Sequence, residues 1–271
     1  MREGIKGNKI SYYCFSILIT FMRGRYLWIL FLLFSCSERM QVNKVEKKEY
    51  VFSSTSNNES DSVILKKIQP YKSQLTEEMS AVLIESVQPI EKALPEGILG
   101  DLVADAALDC AKKIYYPEDA KQVDFIFLNN GGLRKALPKG PITRGDIFEV
   151  LPFENELVVL TADGGLVRKI VNFIASKGGM PVSGIRFQIK GQEASTILIN
   201  GAPFDSTRTY KVATIDYLAN GGDQFSFLSE AKKKENLNVK LRDAMIQNLE
   251  SLGKSGKKLD IHTDGRITHE R

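Results

Sequence analysis

The sequence predicts an α+β domain, on three observations. Short runs rich in β-branched and aromatic residues, such as Val123 to Phe127, Glu156 to Thr161 and Tyr210 to Ile215, read as strands. Between them lie segments whose apolar residues recur at helical spacing. No repeat, heptad pattern or long linker interrupts residues 49–268, and a chain of 271 residues with 43% hydrophobic composition is long enough to bury a substantial core.

At the N-terminus, Met22-Arg23-Gly24-Arg25 precedes an apolar run of nine residues, Tyr26 to Phe34, followed by Ser35-Cys36. Nine residues are too few to span a bilayer. The arrangement resembles a bacterial lipoprotein signal, with Leu33-Phe34-Ser35-Cys36 as the lipobox. That resemblance implies translation from Met22, a lipid on Cys36, and an exported protein of the bacterial cell envelope, tethered to a membrane on its periplasmic or surface side. The competing reading is a signal anchor that joins this run to the apolar patch before it, which Arg23 and Arg25 interrupt. Residues 1–35 are thus expected to be a signal segment, residues 36–48 a polar tether, and residues 49–271 the domain. Of the three cysteines, cleavage removes Cys14 and lipidation occupies Cys36. Cys110 then has no partner for a disulfide and reads as an inert thiol on an apolar helix face.

Within the domain, Glu49 to Phe52 is a candidate first strand. Asp61 is a candidate cap for a helix running to about Glu78, with Ile64, Ile68, Tyr71 and Leu75 at helical spacing. Ser80 to Ser86 reads as a strand. After the breaker Pro95-Glu96-Gly97, Leu99, Leu102, Val103, Ala106 and Cys110 share one helical face. Gly140-Pro141-Ile142-Thr143 reads as a turn, and Thr143 with Asp146 as a capping pair. Leu166 to Ala175 reads as a helix burying Leu166, Ile170, Phe173 and Ile174. Val182 to Ile189 and Thr196 to Ile199 read as a strand pair. A last helix is expected to point Leu241, Met245, Leu249 and Leu252 inward and to end at Gly253. Gly265 to Thr268 closes the domain as a strand.

The excess of four basic over acidic residues is misleading, because the first 35 residues carry five bases (Arg2, Lys6, Lys9, Arg23 and Arg25) against Glu3 alone. The remainder is electrically neutral, which gives no general footprint for nucleic acid. Lys232-Lys233-Lys234 reads as solvated surface.

One loop departs from ordinary turn composition. The strand ending at Phe127 runs into Leu128-Asn129-Asn130-Gly131-Gly132-Leu133-Arg134. Asn129 offers a donor and an acceptor suited to a base edge. Gly131 and Gly132 permit positive φ and close approach to the backbone. Arg134 presents a planar fork for phosphate or carboxylate oxygens. Taken alone, these seven residues favour the plainer reading, a β-turn with a surface arginine, since glycine pairs and asparagines are common in turns.

Two further loops change the balance: Leu151-Pro152-Phe153-Glu154-Asn155 and Tyr217-Leu218-Ala219-Asn220-Gly221-Gly222-Asp223. Together with the first, and with Leu99-Gly100-Asp101-Leu102, Ser183-Gly184-Ile185-Arg186-Phe187 and Gly265-Arg266-Ile267 in the same order, they resemble the C-terminal domain of 5'-nucleotidases and UDP-sugar hydrolases. The resemblance covers roughly residues 50–268 and implies a layered α/β/β/α domain with mixed sheets. In that family this domain binds the nucleotide, and a separate metallophosphoesterase domain cuts the ester. By resemblance, Phe153 and Tyr217 are the rings that sandwich the base, Asn129 and Asn155 the amides near it, and Asp223 the acceptor for ribose hydroxyls. Arg134 corresponds to a ribose or phosphate contact, and Gly132 belongs to the same binding loop. Two positions depart from the family: Lys92-Ala93-Leu94-Pro95 stands where an arginine often precedes the glutamate matching Glu96, and Gln224 follows Asp223 where glycine is usual. A lysine supplies a point charge but no bidentate fork.

Two-metal hydrolysis requires several His, Asp and Asn ligands. The chain has two histidines, His262 and His269, with no Asp-x-His and no Gly-Asn-His-Asp or Gly-Asn-His-Glu, and no room before residue 49 for a metal-bearing domain. No catalytic residue, metal or cofactor is therefore expected on this chain, and divalent metals only on a partner. Three functions remain open: the nucleotide-binding half of a split nucleotidase with a metallophosphoesterase partner chain, a non-catalytic nucleoside- or nucleotide-binding lipoprotein, and a structural subunit with a vestigial pocket.

Overall fold

A computed structural model describes residues 62–270. The signal segment, Cys36, the tether, the candidate strand at Glu49 to Phe52 and the candidate cap Asp61 lie outside the described residues. The chain order is α1 (Ser62–Ser80), β1 (Val82–Ser86), α2 (Ile98–Ile114), β2 (Phe125–Phe127), β3 (Gly140–Thr143), α3 (Arg144–Val150), β4 (Glu156–Asp163) and α4 (Gly164–Ser176). There follow β5 (Val182–Ser183), β6 (Ile185–Lys190), β7 (Glu193–Ile199), β8 (Ala202–Pro203), β9 (Thr209–Ile215), α5 (Asp216–Ala219), β10 (Lys233–Lys240), α6 (Leu241–Lys254) and β11 (Ile267–His269).

The fold is α+β with mixed sheets, as the sequence predicts. A five-stranded sheet runs β10-β4-β9-β2-β5, a four-stranded sheet β11-β6-β7-β8, and β1 pairs with β3. Helix α4 packs on β4 and β9 of the first sheet and on β7 of the second, so it lies between them. Helix α2 packs on β2 and β5 and against α6. Strand β9 is buried from Tyr210 to Ile215 because it is central, with β4 on one side and β2 on the other. Strand β6 alternates, with Ile185, Phe187 and Ile189 inward and Arg186 and Lys190 outward, because only one of its faces meets the core.

One pairing decides where the loops go. Strands β2 and β9 are parallel, with Phe125 opposite Val212 and Ile126 opposite Ala213. Strand β4 is antiparallel to β9, with Leu157 opposite Ile215. The exit of β2, the exit of β9 and the entrance of β4 therefore share one end of the sheet. Thr214 Oγ1, fully buried, donates to the Phe127 carbonyl (2.9 Å) and ties the two exits together.

Local chemistry places the helix starts. Thr143 and Asp146 form the expected capping box, Asp146 N–H donating to Thr143 Oγ1 (3.2 Å) and Thr143 N–H to Asp146 Oδ2 (2.9 Å). Asp163 caps α4 by accepting from the Leu166 N–H (2.9 Å).

The lysines at 232–234 are exposed, as expected, and 233 and 234 belong to edge strand β10, where lysine discourages further pairing. Three expectations are corrected. Gly140 to Thr143 is a strand, because β1 offers it a partner across the sequence. Phe173 and Leu252 are only half-buried, packed against the rim of the core. Gly253 lies inside α6, where a Cβ would come within 2.1 Å of the Leu83 carbonyl oxygen. It is there for close approach to β1, and the left-handed residue after the helix is Gly256 (φ 74°). Helix α1 forms where expected, yet Ile64, Ile68, Tyr71 and Leu75 are all exposed, since its contacts with the body run to α3. Cys110 is half-buried and free among the described residues, and burial pushes its thiol up, so it stays protonated.

Two of the motifs that carry the family resemblance meet in the interior. Glu96 accepts from the backbone N–H groups of Asp264 (2.7 Å), Gly265 (3.1 Å) and Ile267 (3.3 Å). Arg266, itself buried, pairs with Asp105 (2.8 Å), Asp264 (3.1 Å) and Asp101 (3.4 Å) and donates to the Val182 carbonyl (2.8 Å). This network fastens β11 to α2. Asp101 Oδ2 is buried without a partner. Burial, with Glu96 and Asp105 nearby and against the pull of Arg266, pushes the Asp101 carboxyl up to about 7.

The folded chain thus keeps a proton on Asp101 that the unfolded chain releases near pH ~4. The stability that Asp101 contributes is fully present below that pH and is lost as pH rises through about 7. Thermal melting from about pH 4 to about pH 8 is expected to show a falling midpoint whose slope is reduced in Asp101→Asn. Gly253→Ala, which on helix propensity alone would stabilise by about 1 kcal/mol, is expected instead to destabilise by roughly 1–3 kcal/mol in chemical denaturation.

Candidate functional site

The shared end of β4, β9 and β2 carries a cleft of about 330 Å³. From the loop after β2 come Asn129, Gly131, Gly132 and Arg134; from the loop before β4, Phe153 and Asn155; from the segment after β9, Tyr217 and Asp223. All seven residues singled out from the sequence for ligand contact line this one cleft, with Gly131 beside them.

Each loop is held by its own anchors. Residues Asn130–Gly132 form a 3-10 turn, and neither Gly131 nor Gly132 has positive φ. The use of Gly132 is room: a Cβ there would stand 2.9 Å from Asn129 Oδ1. Asn129 is buried, its Nδ2 donates to Asp223 Oδ2 (2.5 Å), and its Oδ1 has no partner. Asn130 Nδ2 donates to the Gly179 carbonyl (3.0 Å), which fixes the turn to the body. Arg134 is exposed, its guanidinium reaching only the Gly131 carbonyl (3.4 Å).

The Phe153 loop is clamped from the other side by the junction of β10 and α6. Leu241 N–H donates to the Asn155 carbonyl (2.9 Å), and buried Arg242 donates to the Leu151 carbonyl (3.1 Å). The Arg242 guanidinium also pairs with Glu154 and lies 4.0 Å over the Phe148 ring, a cation–π contact. Lys240 pairs with the same Glu154 carboxylate. Those two hydrogen-bonded cations, Lys240 ahead of Arg242, hold the Glu154 carboxyl down at about 2. With its neighbours tied down, Phe153 stands 48% exposed at the cleft. The Asn155 side chain is half-buried.

Tyr217, 45% exposed, faces the cleft from the segment after β9. Asp216 Oδ1 accepts from the N–H groups of Tyr217 (2.8 Å) and Glu156 (3.1 Å), joining this segment to the start of β4. Gly222 lies beneath the ring, where a Cβ would stand 2.5–2.6 Å from its carbons. One ring face is thus packed on backbone. The hydroxyl donates to Asp223 Oδ1 (2.9 Å), which raises the tyrosine above its ordinary range. Asp223 (φ 49°) and Gln224 (φ 71°) both adopt left-handed backbone, a strained choice for two successive non-glycine residues. Lys177 Nζ donates to Gln224 Oε1 (3.2 Å) and steadies the second of them.

Arg134 and Asp223 are the charged residues lining the cleft. Lys92, at the departure noted in the sequence, does not line it; its ammonium donates to the Leu133 carbonyl (2.9 Å). Sequence reasoning missed Arg242, Asp216 and Gly222, which touch no expected ligand position and act by holding residues that do. The described residues do not fit a two-metal centre: no group of three or more His, Cys, Asp or Glu among them is arranged to hold a metal ion, and His262 is exposed beside Asp260.

Comparison with known proteins bears on the whole arrangement. A family model described as the 5'-nucleotidase C-terminal domain matches residues 80–230. The trifunctional nucleotide phosphoesterase protein YfkN of Bacillus subtilis is 29% identical over 185 residues, which is 62% of this chain and 12% of YfkN. Protein UshA of Yersinia enterocolitica is 32% identical over 107 residues, 38% of this chain and 20% of UshA. The crystal structure of a 5'-nucleotidase precursor from Thermus thermophilus superposes with a TM-score of 0.63 at 26% identity, over 77% of this chain and 44% of that one. The chain therefore spans less than half the length of each.

Removing Arg242 leaves Phe148 and the Leu151 carbonyl without their shared partner. Arg242→Ala is expected to lower unfolding free energy by roughly 1–3 kcal/mol, and Arg242→Lys to recover only part of it, because an ammonium lacks the planar fork; urea denaturation measures both.

Proposed function

We propose that this chain, which belongs to the 5'-nucleotidase C-terminal domain family, binds a nucleotide or nucleoside in the cleft at the end of β4, β9 and β2. On this reading it supplies base and ribose recognition, and a metallophosphoesterase on a separate chain supplies hydrolysis. The observation that carries the reading is that three loops, distant in sequence, bring two half-exposed rings, two amides, a guanidinium and a carboxylate to one cavity of about 330 Å³. That volume lies at the lower end of the range for small-molecule sites. Phe153 and Tyr217 are the stacking rings, and stacking of this kind contributes about 1–3 kcal/mol per base while tolerating different bases. Asn129 and Asn155 face the base edge, Asp223 accepts from the sugar, and Arg134 meets the sugar or phosphate.

The hydrolytic step is assigned to a partner because the described residues furnish no two-metal ligand set. Metal ions in such a partner would polarise the phosphoryl oxygen and a bound water; this chain's own residues bind and orient the nucleoside end. A lipid on Cys36 would hold the chain at the envelope membrane, and a partner on the same surface would regain part of the effective concentration that a short linker supplies. Among the described residues no helix is long and apolar enough to cross a membrane. A binding lipoprotein without any hydrolytic partner is the second reading, favoured by the near-neutral lining of the cleft, which does not need a phosphate to balance it.

Calorimetry with adenosine and AMP is expected to show binding to the full chain, with Phe153→Ala weakening both by about tenfold or more. No heat with either ligand would defeat both readings. Mixing the chain with candidate metallophosphatases and assaying AMP hydrolysis separates them: a gain in rate supports the partnered enzyme, and binding without any gain supports the binding protein.

A further inference from the structure

We propose that the Tyr217 hydroxyl sets the sugar specificity of the cleft, by holding Asp223 so that its carboxylate accepts both hydroxyls of a vicinal diol. The inference rests on the nucleoside reading above and goes beyond it. It assigns to Tyr217 a positioning task separate from stacking, and it names ribonucleosides, in preference to 2'-deoxyribonucleosides, as the ligand class.

The argument begins with Asp223. Its backbone is left-handed (φ 49°), and the following Gln224 is left-handed as well (φ 71°). Asp223 sits in a 3-10 turn, Gly222–Gln224, whose helical geometry it breaks, so regular backbone does not fix the direction of its carboxylate. Two donors fix it instead, one on each oxygen: Tyr217 Oη–H to Oδ1 (2.9 Å) and Asn129 Nδ2–H to Oδ2 (2.5 Å). These donors are themselves rigid. Asn129 is buried, at 7% exposure, and Gly132 lies against its other amide atom. The Tyr217 ring rests on Gly222, where not even a Cβ would fit, so the hydroxyl has little freedom to swing away from Asp223.

An ionised carboxylate has about four acceptor positions, two on each oxygen. The two protein donors occupy one on each. What remains is one position on each oxygen, and that number matches two hydroxyls on adjacent carbons. A 2'-deoxyribose fills only one of them. It leaves the other oxygen facing the ligand with its water displaced and no donor in return, which is the situation in which a site discriminates most strongly against an analogue lacking a hydroxyl. Without the tyrosine hydroxyl the Oδ1 side regains a free position, the carboxylate can turn about its remaining bond to Asn129, and the match to a diol is lost even though the ring still stacks.

The test is calorimetry on the full chain with four probes: adenosine, 2'-deoxyadenosine, uridine and 2'-deoxyuridine. The wild type is expected to favour each ribonucleoside over its deoxy counterpart. Tyr217→Phe, which keeps the ring, is expected to lower that ribo-to-deoxy affinity ratio by about fivefold to tenfold. Phe153→Ala, which removes stacking alone, is expected to weaken ribo and deoxy forms together and preserve the ratio. A Tyr217→Phe protein with the wild-type ratio would overturn the inference, and so would a wild type that binds both sugars equally. Failure of the wild type to bind any of the four probes would instead bring down the nucleoside reading and this inference with it. Loss of general packing would move the affinities together, so the ratio reports the positioning task specifically.

Discussion

The parallel pairing of β2 with β9 is the constraint on which the cleft depends. A parallel pair puts two chain exits at one end of a sheet, and here an antiparallel β4 on the far side of β9 adds its entrance to the same end. Ninety-odd residues separate Asn129 from Asp223 in sequence, yet one hydrogen bond of 2.5 Å joins them. Nothing in either loop could produce that contact alone. It exists because Phe125 and Ile126 find their partners on Val212 and Ala213, and because Thr214 closes the gap to the Phe127 carbonyl. The same arrangement explains why ring, amide and carboxylate can come from loops and single helical turns far apart in sequence: the sheet holds their starting points together.

Polar side chains do the second part of the work, each replacing regular structure where the backbone is irregular. Arg242 stands in for a turn under the Phe153 loop, donating to the Leu151 carbonyl on one side and pairing with the Glu154 carboxylate on the other. Glu96 takes three backbone N–H groups that β11 would otherwise leave without acceptors as it enters the sheet. Asp216 does the same for the first residues of β4 and α5. An irregular backbone near a binding site is tolerable only when such groups are satisfied. Asn129 Oδ1 is a buried group in the cleft wall left without a partner among the described residues.

The fold and the cleft were legible in the sequence to different depths, for physical reasons. Elements with a clear period were placed well: α2, α4, α6 and β9 all coincide with runs whose apolar residues repeat at helical spacing or form one continuous buried strand. The seven residues singled out through motif order line one cavity. What escaped was whatever depends on a distant partner. Gly140 to Thr143 has turn composition and becomes a strand only because β1 lies beside it. Lys233 and Lys234 give no strand signal, since edge strand β10 keeps their side chains in water. Gly253 looks like a helix terminator, and only the Leu83 carbonyl 2.1 Å from its absent Cβ gives its true reason. Arg242 carries no motif weight, and the motif that contains Gly222 does not show what that glycine supports, because a residue that positions another is defined by contacts and not by its neighbours in the chain.

The charge pattern of the cleft bears on how labour could be divided in the proposed nucleotide function. A phosphate bound by this chain alone would need more than one cation to offset the loss of its hydration. Arg134 is the cation in the lining, and Lys92 spends its ammonium on a backbone carbonyl outside it. The remaining contacts favour the neutral end of a nucleotide: rings for the base, amides for its edge, a carboxylate for the sugar. Placing a carboxylate close to a dianionic phosphate would in fact be unfavourable unless the phosphate points away from Asp223 and toward the open rim. A ligand held in this way presents its ester to whatever stands outside the cleft. Under the proposed function the nucleoside would be the handle and the phosphate would be left for other groups to neutralise, as is required if the metal ions that act on it belong to a partner.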